Sequence, residues 1–381
     1  MFAGAGFPTA LRVITPIIQF GTSRFLQAHV DLFVSDARAA GQDVGPITVV
    51  QTTTDAGRAG RLAAFDGRPI PVVIRGLESG RPVERTEYTR SIRRGLAADA
   101  DWQEIERIFV EEARYAVSNT GEAGFIIGEE RVAESVPRAF PVKLTKLLHA
   151  RWRLSGAPLT LLPCELITSN GKVLRELCIG IAERSGMPAE FIAWLDRECV
   201  FANSLVDRIV SGALEPAGAV AEPYALWAIE RQPRLVPPCT HPAIRLVDDL
   251  SVTERLKLFI LNLGHTCLAE RWMVDRRPPA ETVRQCLADP AMRAFLDLIY
   301  DREVLPVFAA AGIGEAPAYR ASVVERFLNP FLDHRLNDIA AHHAPKKERR
   351  IGGLRKLAAE VAPGMDLPML AAIEHSGVGA T

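Results

Sequence analysis

The chain has 381 residues, more than one ordinary core holds and enough for two domains. Hydrophobic residues make up 48% and charged residues 24%, the balance of a globular protein rather than a disordered or fibrous one. Lys and Arg number 45 against 46 Asp and Glu, a formal charge of −1, so nucleic acid is not the expected partner.

No apolar run approaches the roughly 20 residues that a membrane helix needs, so no membrane association is expected. The opening MFAGAGFPTALRVIT lacks a basic stretch followed by a long apolar one, so it does not read as a secretory leader. Cys164, Cys178, Cys199, Cys239, Cys267 and Cys286 are scattered, with no CxxC pair and no zinc-finger spacing. They read as reduced thiols serving as small hydrophobes, which fits a cytoplasmic enzyme.

Val13–Phe20 is a β-branched apolar run ending at Gly21, the pattern of a strand buried on both faces. The following SRFLQAHVDLFVSDARAA carries Phe25, Ala28, Leu32 and Phe33 at helical spacing, with Gly41 as a stop. Ile47–Thr52 reads as the second strand. Strand, glycine turn, helix and strand make the opening βαβ unit of a dinucleotide-binding fold. Pro71–Arg93 reads as a hairpin turning at Glu78-Ser79-Gly80. Helices are expected at Trp102–Ala113 and Pro141–Leu154, and strands at Tyr115–Ser118 and Leu159–Cys164. This alternation predicts an α/β, Rossmann-like domain with a mostly parallel sheet over 1–204.

Beyond about residue 205 the expected second domain, 205–381, is largely α-helical. Apart from a short extended piece near Ser204–Arg208, it reads as helices broken by prolines: Glu254–Trp272, Pro279–Leu287, Ala291–Tyr300, Ala321–Phe327 and Leu354–Val361. The cleft between the two domains is the default substrate site.

Candidate chemistry follows the same order. In the turn Gly21-Thr22-Ser23-Arg24-Phe25, Ser23 stands where a GxGxxG turn has its second glycine. Serine is small, and the N-terminus of the following helix would still offer N–H groups and a positive dipole end to phosphate. The second strand runs into Gln51-Thr52-Thr53-Thr54-Asp55, with Arg58 and Arg61 nearby. No carboxylate sits at the strand tip to read a ribose, so NAD and NADP both remain open, NAD slightly ahead. Ser118-Asn119-Thr120-Gly121 follows the strand at Tyr115–Ser118, and Cys164-Glu165-Leu166 with Asn170-Gly171 follows Leu159–Cys164. Both place polar groups at carboxyl ends of sheet strands, where α/β sheets bind ligands, although Asn-Gly also simply makes turns.

Lys257, Asn262 and His265 lie on the otherwise apolar stretch TERLKLFILNLGHTCLAERW. At about 100° per residue, His265 falls roughly 80° from Lys257 and Asn262 roughly 60° beyond, so all three can face one cavity. Burial disfavours the charged form of a lysine, which suits a base working at neutral pH. A snorkelling lysine and a satisfied core histidine are the bland alternative. Arg326, Asn329, His334, Lys346 and Arg349 make a basic, partly solvated segment, from which a carboxylate-bearing substrate would need one or two cations.

At these residues the chain resembles the long-chain mannitol dehydrogenase family, which also contains fructuronate and tagaturonate reductases. The resemblance is carried by QFGTSRFLQAHVD, SNTGEAG, PCELITSNG, NSLVDRIV, EPYALWAIE and KLFILNLGH, in that order along nearly the whole chain. It implies NAD(P)-dependent oxidation and reduction of a sugar acid or polyol without a catalytic metal; separately, a monomer or homodimer is expected. It also implies Lys257 as acid/base, Asn262 polarising the reacting oxygen and His265 binding a substrate hydroxyl. Gly21, Thr22, Ser23, Arg24, Phe25, Gln51, Ser118, Asn119, Thr120 and Asn170 would then surround the dinucleotide. Glu165, Asn203, Asp207, Arg208, Arg326 and His334 are the substrate-side candidates. Two departures matter: Ser23 replaces a common glycine, and Cys164-Glu165-Leu166 stands where polyol and fructuronate enzymes read Cys-Asp-Asn. The second resembles tagaturonate reductases and tilts the expectation toward a tagaturonate/altronate-like pair, although the chain is shorter than typical members of that branch. A mannitol-type polyol dehydrogenase, a sugar-phosphate relative, a catalytically silent nucleotide-binding regulator and a zinc alcohol dehydrogenase are the alternatives.

Overall fold

The first half of the chain winds around a single parallel sheet. The computed structural model describes residues 13–54, 59–128 and 130–377. Asp55, Arg58 and the leader question at residues 1–12 therefore fall outside the described residues. β1 (Ile17–Phe20) leads through α1 (Arg24–Gln27) and α2 (Val30–Ala39) to β2 (Ile47–Gln51). After α3 (Ala59–Ala63), the hairpin β3 (Ile70–Glu78) and β4 (Arg81–Thr89) precedes β5 (Ile92–Ala97). Then come α4 (Trp102–Glu111), β6 (Tyr115–Ser118), α5 (Phe140–Leu154), β7 (Leu159–Pro163), α6 (Asn170–Arg184), α7 (Ala189–Glu198) and β8 (Cys199–Phe201).

The sheet runs β5-β2-β1-β6-β7-β8, with every pairing parallel. All residues of β1 and β2 are buried, the polar Gln19, Thr48 and Gln51 included, which is why the two strands are mostly apolar without alternation. The hairpin is antiparallel and turns at Ser79 and Gly80, both at positive φ. The expected single helix after Gly21 is broken. α1 is one turn long, and His29 (φ −129°, ψ −99°) separates it from α2. The buried His29 imidazole meets the Leu226 carbonyl at 3.0 Å, and Arg208 Nη1 donates to the Ala28 carbonyl at 2.6 Å. Both partners lie far along the chain, so helical periodicity alone does not show the break.

Between residues 204 and 247 the structure is extended where helix was mostly expected. β9 (Ser204–Asp207), β10 (Val210–Ala213), β11 (Ala219–Ala221), β12 (Leu226–Glu230) and β13 (Ile244–Val247) form here. β11 joins β3 in a sheet of order β10-β11-β3-β4, and β12 is central in a sheet of order β13-β12-β9. These strands have three to five residues each, too short for alternation to register, and the intervening prolines punctuate strands rather than helices.

The helical region begins with α8 (Leu250–Leu256), a π-helical turn at Lys257–Asn262, and α9 (Leu263–Val274). It continues through α10 (Val283–Leu287), α11 (Pro290–Ile299), a second π turn (Tyr300–Val304), α12 (Leu305–Ala310) and α13 (Ala316–Phe327). α14 (Leu336–Ala340), α15 (His343–Lys347), a third π turn (Glu348–Gly352), α16 (Gly353–Val361) and α17 (Pro368–His375) complete it. One apolar core joins these helices, with Ile260, Leu263, Cys267, Leu296, Tyr300, Phe308 and Leu354 at its centre. The first π turn packs against both of the others. Among the described residues no helix is long and apolar enough to cross a membrane. All six cysteines are free and buried.

Candidate active site

Strand order reverses between β1 and β6, which start crossovers in opposite directions, and a doubly wound sheet opens its ligand crevice at such a point. Gly21 lies at the carboxyl end of β1 with φ +120°, and its N–H donates to the Val50 carbonyl at 2.9 Å. A Cβ there would stand 2.6 Å from the Asn119 carbonyl oxygen at the end of β6. Ser23 caps α1 by accepting from the Leu26 N–H, and its hydroxyl donates to Asn119 Oδ1 at 3.1 Å. Asn119 Nδ2 in turn donates to the Cys164 carbonyl at 2.8 Å. The three strand ends are thus tied side by side. Replacing Gly21 with alanine is expected to destabilise the protein by roughly 1–3 kcal/mol and to weaken nucleotide binding. Urea unfolding and a dinucleotide titration check this, and an unchanged midpoint would show that the strand ends relax.

The helix after this turn is too short to supply the dipole expected of a long one, so the rim itself carries the polar groups. Glu165 is buried and organises that rim. Its carboxylate accepts from Ser118 Oγ (2.9 Å), the Thr120 N–H (2.9 Å) and Thr120 Oγ1 (3.2 Å). Burial pushes the Glu165 carboxyl above its ordinary range despite these bonds. Asn170 is fully buried and donates to the Pro163, Glu165 and Ser204 carbonyls, so it staples the loop after β7 from beneath. Thr22 is buried and Arg24 exposed, the Phe25 ring stacks on His29 at 4.7 Å, and Gln51 Nε2 donates to the Thr53 carbonyl.

Two clefts meet on the first π turn. A cleft of about 410 Å3 lies between Glu165–Thr168, Ser204–Val206 and the helical region, and includes Glu254, Lys257 and Asn262. A second, of about 340 Å3, is lined by Asp207, Lys257, Asn262, His265, Arg326, His334, Lys346 and Arg350 among others. Lys257 and Asn262 border both. The expected trio is therefore on one wall, although not on a uniform α-helix. The π turn frees backbone carbonyls, which find other donors. Tyr300 OH bonds to the Ile260 carbonyl at 2.9 Å, while Thr266 Oγ1 and Arg350 Nη1 each reach the Asn262 carbonyl at 3.1 Å. Gly264 leaves room for Tyr300, whose hydroxyl a Cβ would overlap at 1.9 Å.

Lys257 is part-exposed rather than buried, its side chain 23% accessible. Nζ donates to the Val206 carbonyl at 3.1 Å and lies 3.6 Å from Asp207 Oδ1. Burial alone would raise the Asp207 carboxyl, but Arg326 and Lys257 reverse this and hold it below its ordinary value. Arg326 grips Asp207 through both terminal nitrogens (2.9 and 3.1 Å) and Glu222 through Nε and Nη2 (3.0 and 2.8 Å). Its guanidinium also covers the Tyr224 ring at 4.4 Å. His265 is buried, its Nε2 has no hydrogen-bond partner among the described residues, and its ring packs on Phe327 and edge-on to His334. Burial first, then the nearby His334 and Arg350, push its pKa well below the ordinary value, so the imidazole is neutral.

Two substrate-side candidates stand elsewhere. Asn203 bonds Glu230 Oε2 and accepts from the Lys172 N–H, and Arg208 bonds the Ala28 and Glu222 carbonyls; neither borders the two clefts. Glu222, Glu254 and Arg350 were not singled out by the sequence. Only the spacing of Arg350 from Lys346, one helical turn on, could have pointed to it. Among the described residues no group of three His, Cys, Asp or Glu side chains is arranged to hold a metal ion.

Comparisons with known proteins agree on one family. Residues 15–237 match the mannitol dehydrogenase Rossmann domain and residues 249–375 the mannitol dehydrogenase C-terminal domain. An altronate oxidoreductase of Halalkalibacterium halodurans is 31% identical over 88% of this chain and 69% of its own length. One from Klebsiella pneumoniae is 32% identical over 92% of this chain and 75% of its own. Among solved structures, a substrate-free D-sorbitol dehydrogenase superposes with TM-score 0.81 at 22% identity, covering 96% of this chain and 81% of its own. The Pseudomonas fluorescens mannitol 2-dehydrogenase, in ternary complex with NAD and D-mannitol, gives 0.73 at 20% identity, covering 95% and 78%. The chain belongs to the mannitol dehydrogenase family.

Proposed function

We propose that this protein interconverts a ketose-type sugar acid and its alcohol, a pair like tagaturonate and altronate, with Lys257 as the acid/base. It is a nicotinamide-dependent oxidoreductase of the sugar-acid and polyol class, as its family is. The observation that carries the reading is the shared wall: Lys257 and Asn262 border both the cleft at the Glu165 rim and the cleft containing His265. The altronate oxidoreductases at about 30% identity favour the sugar-acid class.

The residues at the strand ends fit a dinucleotide, because the Gly21 turn is kept free of a side chain at the switch point. Gly21, Ser23, Ser118, Asn119 and Thr120 would hold it, and the nicotinamide would supply or accept the hydride. In the reductive direction the Lys257 ammonium gives a proton to the substrate oxygen, and in oxidation the neutral amine takes it back. The Asn262 amide donates to that oxygen as charge grows on it. Neutral His265 offers its unpaired Nε2 to a substrate hydroxyl. In this reading the chain up to residue 204 serves the cofactor, the chain from 205 serves the substrate, and no metal takes part. Six buried free thiols suit a reducing, cytoplasmic setting. NAD is favoured over NADP by the mannitol 2-dehydrogenase neighbour.

The test is a matrix of altronate, mannonate and mannitol against NAD and NADP, followed through the absorbance of the reduced nicotinamide. Altronate with NAD is expected to give the highest kcat/KM, also in the presence of a chelator. Mannitol ahead of both acids would favour the polyol reading instead.

A further inference from the structure

The cleft containing His265 holds more positive charge than its own acids neutralise. Of its cations, Lys257 faces Asp207 and Arg326 is filled by Asp207 and Glu222. His265 and His334 are both pushed by burial toward the neutral form. Lys346 and Arg350 remain. Lys346 Nζ donates to the Ile339 carbonyl at 2.8 Å, and Arg350 Nη1 donates to the Asn262 carbonyl and to Thr266 Oγ1 at 2.9 Å. Among the described residues neither is paired with a carboxylate. Burial, and then the presence of Arg350, lower the pKa of Lys346, and Arg350 is lowered by burial and by Arg349. Two like charges, partly desolvated and held in one cleft, are tolerated best when an anion joins them.

We propose that Lys346 and Arg350 form the anchor for the anionic end of the substrate, a terminal carboxylate. The proposal rests on the functional reading above and names the group that selects acids over neutral sugars. Arg350 holds the carbonyl of Asn262, so it also fixes the π turn that presents the Asn262 side chain. An acid seated on Arg350 therefore lies against the element that carries Lys257 and Asn262, in a cleft of about 340 Å3. Asp338 also borders the cleft, but it is exposed and belongs to the first turn of α14. A carboxylate is repelled from that side and directed to the basic pair. Arg326, the obvious cation by sequence, is excluded because two buried carboxylates already occupy its donors.

The experiment compares tagaturonate with tagatose, identical except for a terminal carboxylate in place of a CH2OH, in wild type and in Lys346→Met, Arg350→Met and Arg350→Lys. Arg350→Met should lower kcat/KM for both, because the Asn262 turn loosens, but by about 10–100-fold more for the acid, the value of one charge-assisted hydrogen bond. Lys346→Met should show the same extra loss on the acid, and Arg350→Lys should recover part of it. Calorimetric titration with altronate should show the same weakening without turnover. Equal falls on tagaturonate and tagatose would overturn the anchor while leaving the functional reading intact. Wild type inactive on every sugar acid would overturn that reading, and the anchor with it. Tagatose 6-phosphate preferred over tagaturonate would overturn the carboxylate assignment in favour of a phosphate.

Discussion

Replacing Lys257 with alanine lowers kcat by about 10²–10⁴-fold, the span that a positioned proton donor and acceptor contributes. The fold survives the change. Lys257 is only one of two cations on Asp207, and the two-pronged contact from Arg326 remains when the lysine is gone. Nucleotide affinity is retained, because the groups at the ends of β1 and β6 are separate from the π turn. The loss should fall equally on kcat and kcat/KM, the pattern of a group that acts in the transition state rather than in ground-state binding. Added methylamine should restore part of the rate, since the vacated space opens on two clefts. Near-normal turnover in this variant would falsify the assignment of Lys257.

The same residue shows how far sequence carries the case. Lys257, Asn262 and His265 were recognisable as polar groups on an apolar run, and they do share a wall. A spacing of about 100° per residue joins them only on a uniform α-helix, whereas a π turn spans Lys257–Asn262. Its stability depends on Tyr300 and Arg350, which lie 38 or more residues away. The parallel sheet was legible for a simpler reason: β1, β2, β6 and β7 are short apolar runs, each closed by a turn. β10 to β13 were not, because strands this short carry no readable period and depend on partners such as β3 and β9. Arg350 sits in KKERR, which reads as a solvated basic end, and its reach to the Asn262 carbonyl and Thr266 Oγ1 is visible only in the fold.

Arg326 is where sequence and structure point to different roles, and it sets the second large effect. Arg326→Leu should destabilise the protein by about 3–5 kcal/mol, the usual result of removing one partner from a buried charge cluster. Asp207 and Glu222 are 5% and 3% exposed, so neither can recover its lost hydrogen bonds from water. In wild type, Asp207 is held below its ordinary value, so its contribution is present above the ordinary carboxylate range. It is lost as pH falls through that lowered value. In the variant the sign reverses for Asp207, while Glu222, which burial already raises in the wild type, is raised further. With the cation gone, burial raises them above their unfolded values, so the folded state takes up protons first. Acidification from neutral pH toward the carboxylate range then stabilises the variant relative to wild type. Urea unfolding across that range reads the effect directly. A variant whose deficit stays constant with pH would show that lost packing against Tyr224, rather than uncompensated charge, accounts for the change. A cation doing this work inside the protein is poorly placed to release itself for a substrate, which is why the choice of acids over neutral sugars falls to Lys346 and Arg350, which line the same cleft.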